Sequence, residues 1–144
     1  MNKTSLLAAA VLTATVFQAQ AASGPEYLMV NKSAQRLVDD ATVNALFAEI
    51  VSAKMAKLYP TNKWGFATQV EGGITQANIC VVTARVMLLQ RNLPVTTKLL
   101  LFKPEKSATA FDALPNSTEA QCRDLAKAKL REANLAIKAA LVPE

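Results

Sequence analysis

The chain has 144 residues, 51% hydrophobic and 19% charged, with a formal net charge of +5, two cysteines and no histidine. That charge is too small and too dispersed for a nucleic-acid footprint, which needs a clustered basic patch and stacking aromatics. Without histidine there is no Ser-His-Asp or Cys-His catalysis, and two widely spaced cysteines make no zinc site.

Residues 1–21 read as an address. Lys3 gives a positive start, Leu6 to Phe17 is an apolar run broken only by Thr13 and Thr15, and Ala19-Gln20-Ala21 is a small-x-small cleavage site. The run is too short for a membrane span. Cleavage after Ala21 removes Lys3, lowers the charge to +4 and leaves 123 of the 144 residues, read as one domain over 22–144. No cysteine stands directly after the cut, so no lipid anchor is expected, and no transmembrane anchor is expected after cleavage. The destination is the periplasm or the extracellular space. In such an oxidising compartment Cys80 and Cys122 should form one disulfide, whose loop of about 40 residues contributes roughly 3–4 kcal/mol.

Residues 22–32 form a lead-in, with Tyr27-Leu28-Met29-Val30 as a short edge strand or a hydrophobic strap. Ser33 is a helix cap, and helical periodicity then runs to about Tyr59. Leu37, Ala41, Ala45, Ala48, Val51, Met55 and Leu58 fall on one face, widened by Leu46, Phe47 and Ile50. Asp39-Asp40 recaps this helix after its first turn, and Pro60 closes it. From Trp64 to Val70 the pattern has period two, and Gly72-Gly73 supplies a hairpin turn. A long strand follows from Ile74 to about Gln90. Arg91-Asn92-Leu93-Pro94 makes a second turn and Val95 to Phe102 a third strand. Residues 105–115 are a connector whose Phe111 and Leu114 tuck against the core. Asn116 or Ser117 caps a last helix, Glu119 completing a capping box. Its apolar stripe is Cys122, Ala126, Leu130, Ala133, Ile137, Ala140 and Leu141.

The expected fold is α+β, a two-layer domain ordered helix, three-stranded antiparallel meander, helix, with both helices on one face of the sheet. Bonding of Cys80 to Cys122 would turn Asn78, Val82, Ala84, Val86 and Leu88 toward the last helix. The opposite side of that strand carries Ile79, Val81, Thr83, Arg85, Met87 and Leu89, a largely apolar row where a two-layer sheet should be polar. Three readings account for it. Residues 22–32 and 104–115 fold over it; it is a partner surface, for another envelope protein or a second copy; or it lines a cavity for a small apolar ligand. Arg85, which interrupts the row, is placed at the sheet rim.

No arrangement of residues nominates a catalytic centre. Asp39 and Asp40 are adjacent and better explained as helix-start residues, and no Ser stands three before a Lys. Arg123, Lys127, Arg131 and Lys138 form a basic ridge beside the last apolar stripe, suited to an anionic surface or to solvent. Asn31-Lys32-Ser33 and Asn116-Ser117-Thr118 fit the glycosylation pattern, but both coincide with expected helix starts. The sequence thus points to a small exported, non-catalytic binding or adaptor protein with no cofactor or metal, acting through the apolar sheet row. A carrier of a small apolar ligand is the alternative.

Overall fold

The computed structural model describes residues 24–91 and 103–143. The expected signal peptide, 1–21, and the expected third strand, 95–102, lie outside the described residues. The chain is α+β, with a four-stranded mixed sheet and three helices. In chain order these are β1 (Met29–Asn31), α1 (Asp40–Ala48), α2 (Ala53–Leu58), β2 (Trp64–Ile74), β3 (Ile79–Gln90), β4 (Lys106–Pro115) and α3 (Glu119–Leu141).

The first helical stretch starts later than Ser33 and breaks elsewhere than expected. Asp39 is the N-cap of α1, its carboxylate accepting from the Thr42 N–H at 2.7 Å. The break falls after Ala48, where the Ile50 N–H turns back to Phe47 O and Ser52 caps a second helix by accepting from Met55 N–H. Two β-branched residues, Ile50 and Val51, followed by a serine able to bond its own backbone, make this the weak point of the run. The buried residues of α1 are Val43, Leu46 and Phe47, while Ala41, Ala45 and Ala48 face solvent. Tyr27 stacks on Phe47 at 5.1 Å and Phe47 on Phe66 at 4.7 Å, joining lead-in, helix and sheet.

In the sheet, Gly72-Gly73 is not the turn. Both glycines lie inside β2, paired with Val82 and Val81, and residues 75–78 make the reversal, with Asn78 at φ 58°. Thr75 accounts for that shift: its carbonyl accepts from Asn78 N–H and its hydroxyl from Ile79 N–H. The glycines are required for closeness instead. Gly72 has φ +129°, and a Cβ there would run into the Val81 carbonyl. The strand expected to begin at Ile74 therefore begins at Ile79.

The connector of the sequence reading is a strand. Residues 106–115 pair antiparallel with β3 over their whole length, from Leu88↔Lys106 to Ile79↔Pro115. Period-two alternation was present here, but in alanine, serine and threonine, with little contrast between its sides. Phe111 and Leu114, expected in the core, are exposed, Phe111 by 78%. At the other edge β1 pairs parallel with β2, Met29 opposite Phe66. The two segments proposed to cover the second face therefore widen the sheet rather than cross it.

Even-numbered residues of β2, β3 and β4 face the helices. Phe66, Val70, Cys80, Val82, Ala84, Val86, Leu88 and Ala110 pack with Cys122, Ala126, Leu130, Ala133 and Ile137 of α3 in one cluster. The disulfide Cys80–Cys122 joins the two layers, Cα to Cα 5.5 Å. Thr118, rather than Asn116 or Ser117, caps α3, in a reciprocal box with Gln121. Ala140 is exposed, and the buried stripe includes Asn134 in its place.

Gly72→Ala should lose about 2–3 kcal/mol of folding stability in chemical denaturation, through backbone strain and the Val81 contact. Gly24→Ala, with open space around its Cβ, should match the parent; equal stability of both variants would refute the steric account.

Candidate functional site

The outer face of the sheet is set by parity. Once even-numbered residues meet the helices, Val30, Ala67, Gln69, Glu71, Ile79, Val81, Thr83, Arg85, Met87, Leu89, Thr109, Phe111 and Ala113 share the other side. Their burial divides this face into three zones.

At one end Ala67, Met87 and Leu89 form a second, smaller buried cluster with Val30 against it. In the middle Gln69, Glu71, Thr83, Arg85 and Thr109 line a shallow cleft of about 290 Å³. Gln69 Nε2 donates to Glu71 Oε1 at 2.6 Å inside it. Arg85 therefore lies in mid-sheet among polar neighbours, not at the rim. At the far end Val81, 41% exposed, stands diagonal to Phe111 across the β3–β4 pair, with half-buried Ile79 and exposed Ala113 beside them. The predicted row is thus not one surface: Met87 and Leu89 are interior, and Ile79, Val81 and Thr83 are accessible. Phe111 was missed because its strand was read as a connector; the alternation Ser107, Thr109, Phe111, Ala113 was the available signal.

The basic ridge lies along the seam between α3 and α1. Arg131 grips Glu49, the C-cap of α1, through two bonds of 3.1 Å. Arg123 lies 3.9 Å from Glu119 and Lys127 3.7 Å from Asp124. Lys138 sits in the last turn of the helix, half-buried. Three of the four cations thus have an acidic neighbour within 4 Å, so the ridge is largely neutralised in place. On the other flank Lys129 donates to Glu132 at 2.8 Å and meets Asp112 of β4 at 3.1 Å.

These contacts shift ionisation in consistent directions. The Arg131 bond holds the Glu49 carboxyl below its ordinary 4.5, and Glu49 in turn raises Arg131. The Lys129 bond lowers Asp112, and bonds to Glu132 and Asp112 raise Lys129. Asp39 is lowered by the Thr42 N–H it accepts from. Asn134 is the one buried side chain among the described residues whose polar atoms are unsatisfied: 1% exposed, with no hydrogen-bond partner for Nδ2 or Oδ1. A second cleft, about 210 Å³, lies between Arg36, Leu37, Gly73, Ile74 and the start of α3, where Arg36 donates to Gly72 O at 2.9 Å.

Among the described residues no group of three or more His, Cys, Asp or Glu is placed to hold a metal ion, and no helix is long and apolar enough to cross a membrane. No protein-family model matches the chain, and no curated protein or solved structure matches it either.

A lowered carboxyl contributes stability above its ordinary pKa and loses it as pH falls through the lowered value. The stability gap between the parent and Glu49→Gln should therefore be widest near neutral pH and should close as pH falls below the carboxyl's ordinary 4.5 and through its lowered value, in melts across the acid range. A gap independent of pH would remove Glu49 ionisation from the account.

Asn134→Leu should raise stability by about 1–2 kcal/mol, because it replaces an unpaired buried amide with an apolar side chain of similar size. A lower melting temperature would show that the amide is matched in solution.

Proposed function

We propose that this protein is a small exported, non-catalytic binding or adaptor protein that acts through the exposed apolar end of its outer sheet face. The observation that carries the reading is the pair Val81 and Phe111, large apolar side chains held open to solvent beside Ile79 and Ala113 on a rigid two-strand platform. Apolar groups clustered on a sheet, rather than scattered singly, mark a contact surface. The partner is a protein, either another envelope component or a second copy of the chain. The clefts described above are open and partly polar, which favours a protein contact over a carrier of small apolar ligands.

Export rests on the leader pattern of residues 1–21 and is compatible with the Cys80–Cys122 disulfide, a bond that persists in oxidising compartments. The periplasm is the compartment we favour.

A native mass spectrum of the protein, purified unreduced from the compartment it reaches, tests this. We expect a dimer or a complex with a defined second protein, lost in Val81→Asp, whose partly exposed position tolerates a charge. Met87→Asp, by contrast, should simply unfold the chain, since Met87 is buried. A bare monomer under these conditions would sink the reading.

A further inference from the structure

Two arginines from distant parts of the chain meet at the cleft of about 210 Å³ between the end of β2 and the start of α3. Arg36 reaches it from the segment before α1, and Arg123 from α3. The strand itself holds Arg36 there. One guanidinium nitrogen donates to Gly72 O at 2.9 Å, and the group lies against Gly73, where a Cβ would stand 3.2 Å from Nη2. Glycine at 73 leaves that space open.

Neither guanidinium is hydrogen-bonded to a carboxylate. Among the described residues no acid lies within 4 Å of Arg36, and Arg123 has Glu119 at 3.9 Å, too long for a hydrogen bond. Arg131, by comparison, holds Glu49 through two bonds of 3.1 Å. Residues 1–23 and 92–102 contain no Asp or Glu to fill the gap. The remaining acid, Glu144, follows Leu141, which α3 places about 27 Å from Arg123. The flanks of 92–102 also lie at the other end of the sheet, where Arg91 N–H bonds Lys63 O and Glu105 N–H bonds Leu88 O.

The rest of the lining defines what fits. Glu119 offsets one of the two cations, so the cleft carries a net charge of +1. Leu37 and the disulfide-bonded Cys122 are buried, and Ile74 is only 37% exposed, which gives the cleft an apolar side. A single negative charge on a compact apolar body matches both features. A dianion such as phosphate would overcompensate the lining and face Glu119. The volume equals that of about seven waters, enough for an acid of about eight non-hydrogen atoms.

We propose that this cleft binds the carboxylate of a small apolar acid, with Arg36 and Arg123 as the residues that hold it. Guanidinium N–H groups match carboxylate oxygens in spacing and charge. The carboxylate belongs either to a free acid or to the end of a peptide chain with an apolar last residue. The site is separate from the outer sheet face, and the proposal does not depend on the adaptor reading.

A ¹H–¹⁵N titration of the full disulfide-bonded chain with hexanoate tests this. The amides of Gly73, Ile74, Cys122 and Arg123 should shift saturably, with a Kd of about 1 mM or tighter. Hexanol, of similar size but uncharged, should bind at least about tenfold more weakly, as should hexanoate at high salt. Arg36→Gln and Arg123→Gln should each weaken hexanoate at least about fivefold while the rest of the spectrum is retained, and Lys57→Gln, on α2, should not. Glu119→Gln, which raises the lining charge to +2, should tighten hexanoate and admit inorganic phosphate. N-acetyl-leucine binding tighter than hexanoate would support a peptide chain end as the source, and the reverse order a free acid. Equal affinity for hexanol and hexanoate overturns the proposal, as does hexanoate binding unchanged in both arginine variants. Absence of a saturable shift at these amides up to about 20 mM hexanoate overturns it as well. Phosphate binding the parent more tightly than hexanoate would overturn the choice of a monocarboxylate.

Discussion

The disulfide between Cys80 and Cys122 is the constraint from which the remaining geometry follows. It fixes one even-numbered residue of β3 against the first turn of α3, and side chains alternate strictly along a strand. Every even-numbered residue of β3 must then look toward α3. The registers carry that parity to β2 and β4, because each pairs even with even. A slip of one residue would bury Arg85 and Thr83 and expose Val82, Ala84 and Val86, so packing and covalent link enforce the same answer. The small side chains Ala84, Ala108 and Ala110 fit this arrangement, since they let a long helix settle closely onto the sheet.

The same parity makes the outer face what it is. The helix layer ends at the sheet, and nothing in the order of described elements supplies a third layer. The outer face must therefore be polar, buried by other means or left open, and it shows all three conditions in succession from Met87 through Arg85 to Val81. Only the last presents large apolar side chains to solvent. It lies at the β3–β4 side of the sheet, away from the edge that β1 and residues 32–36 close.

Much of the architecture was legible in the sequence, for reasons that differ by element. The stripe of α3 and the pairing of its cysteine could be read because a long helix repeats its pattern many times and because exported thiols pair. The alternation from Trp64 to Val70 was equally clear. The reversal at 75–78 was not, because Gly72-Gly73 satisfies a hairpin rule that is blind to close backbone approach; only the fold shows that Val81 forbids a Cβ there. Strand β4 was hidden by its small residues. Alanine at 108 and 110 carries little hydrophobic contrast, and it was chosen by a helix distant in sequence. On the candidate face, periodicity put Ile79, Val81, Thr83, Met87 and Leu89 in one row and could not separate the accessible first three from the buried last two. Phe111 could not join them until its strand was known.

Charge, too, behaves differently from what a linear reading suggests. Arg131 looked like one of four cations on a helix face, yet its guanidinium is committed to Glu49 at the end of α1, and Lys129, which no pattern singled out, bridges to Asp112 on β4. Individually such half-exposed pairs contribute little. Their placement matters more than their strength: one pair ties α3 to the end of α1 and the other ties it to β4. The helix side of the molecule is thus closed by its own charges as well as by its core. Val81 and Phe111, large apolar side chains that stand open to solvent, lie instead on the outer face of the sheet.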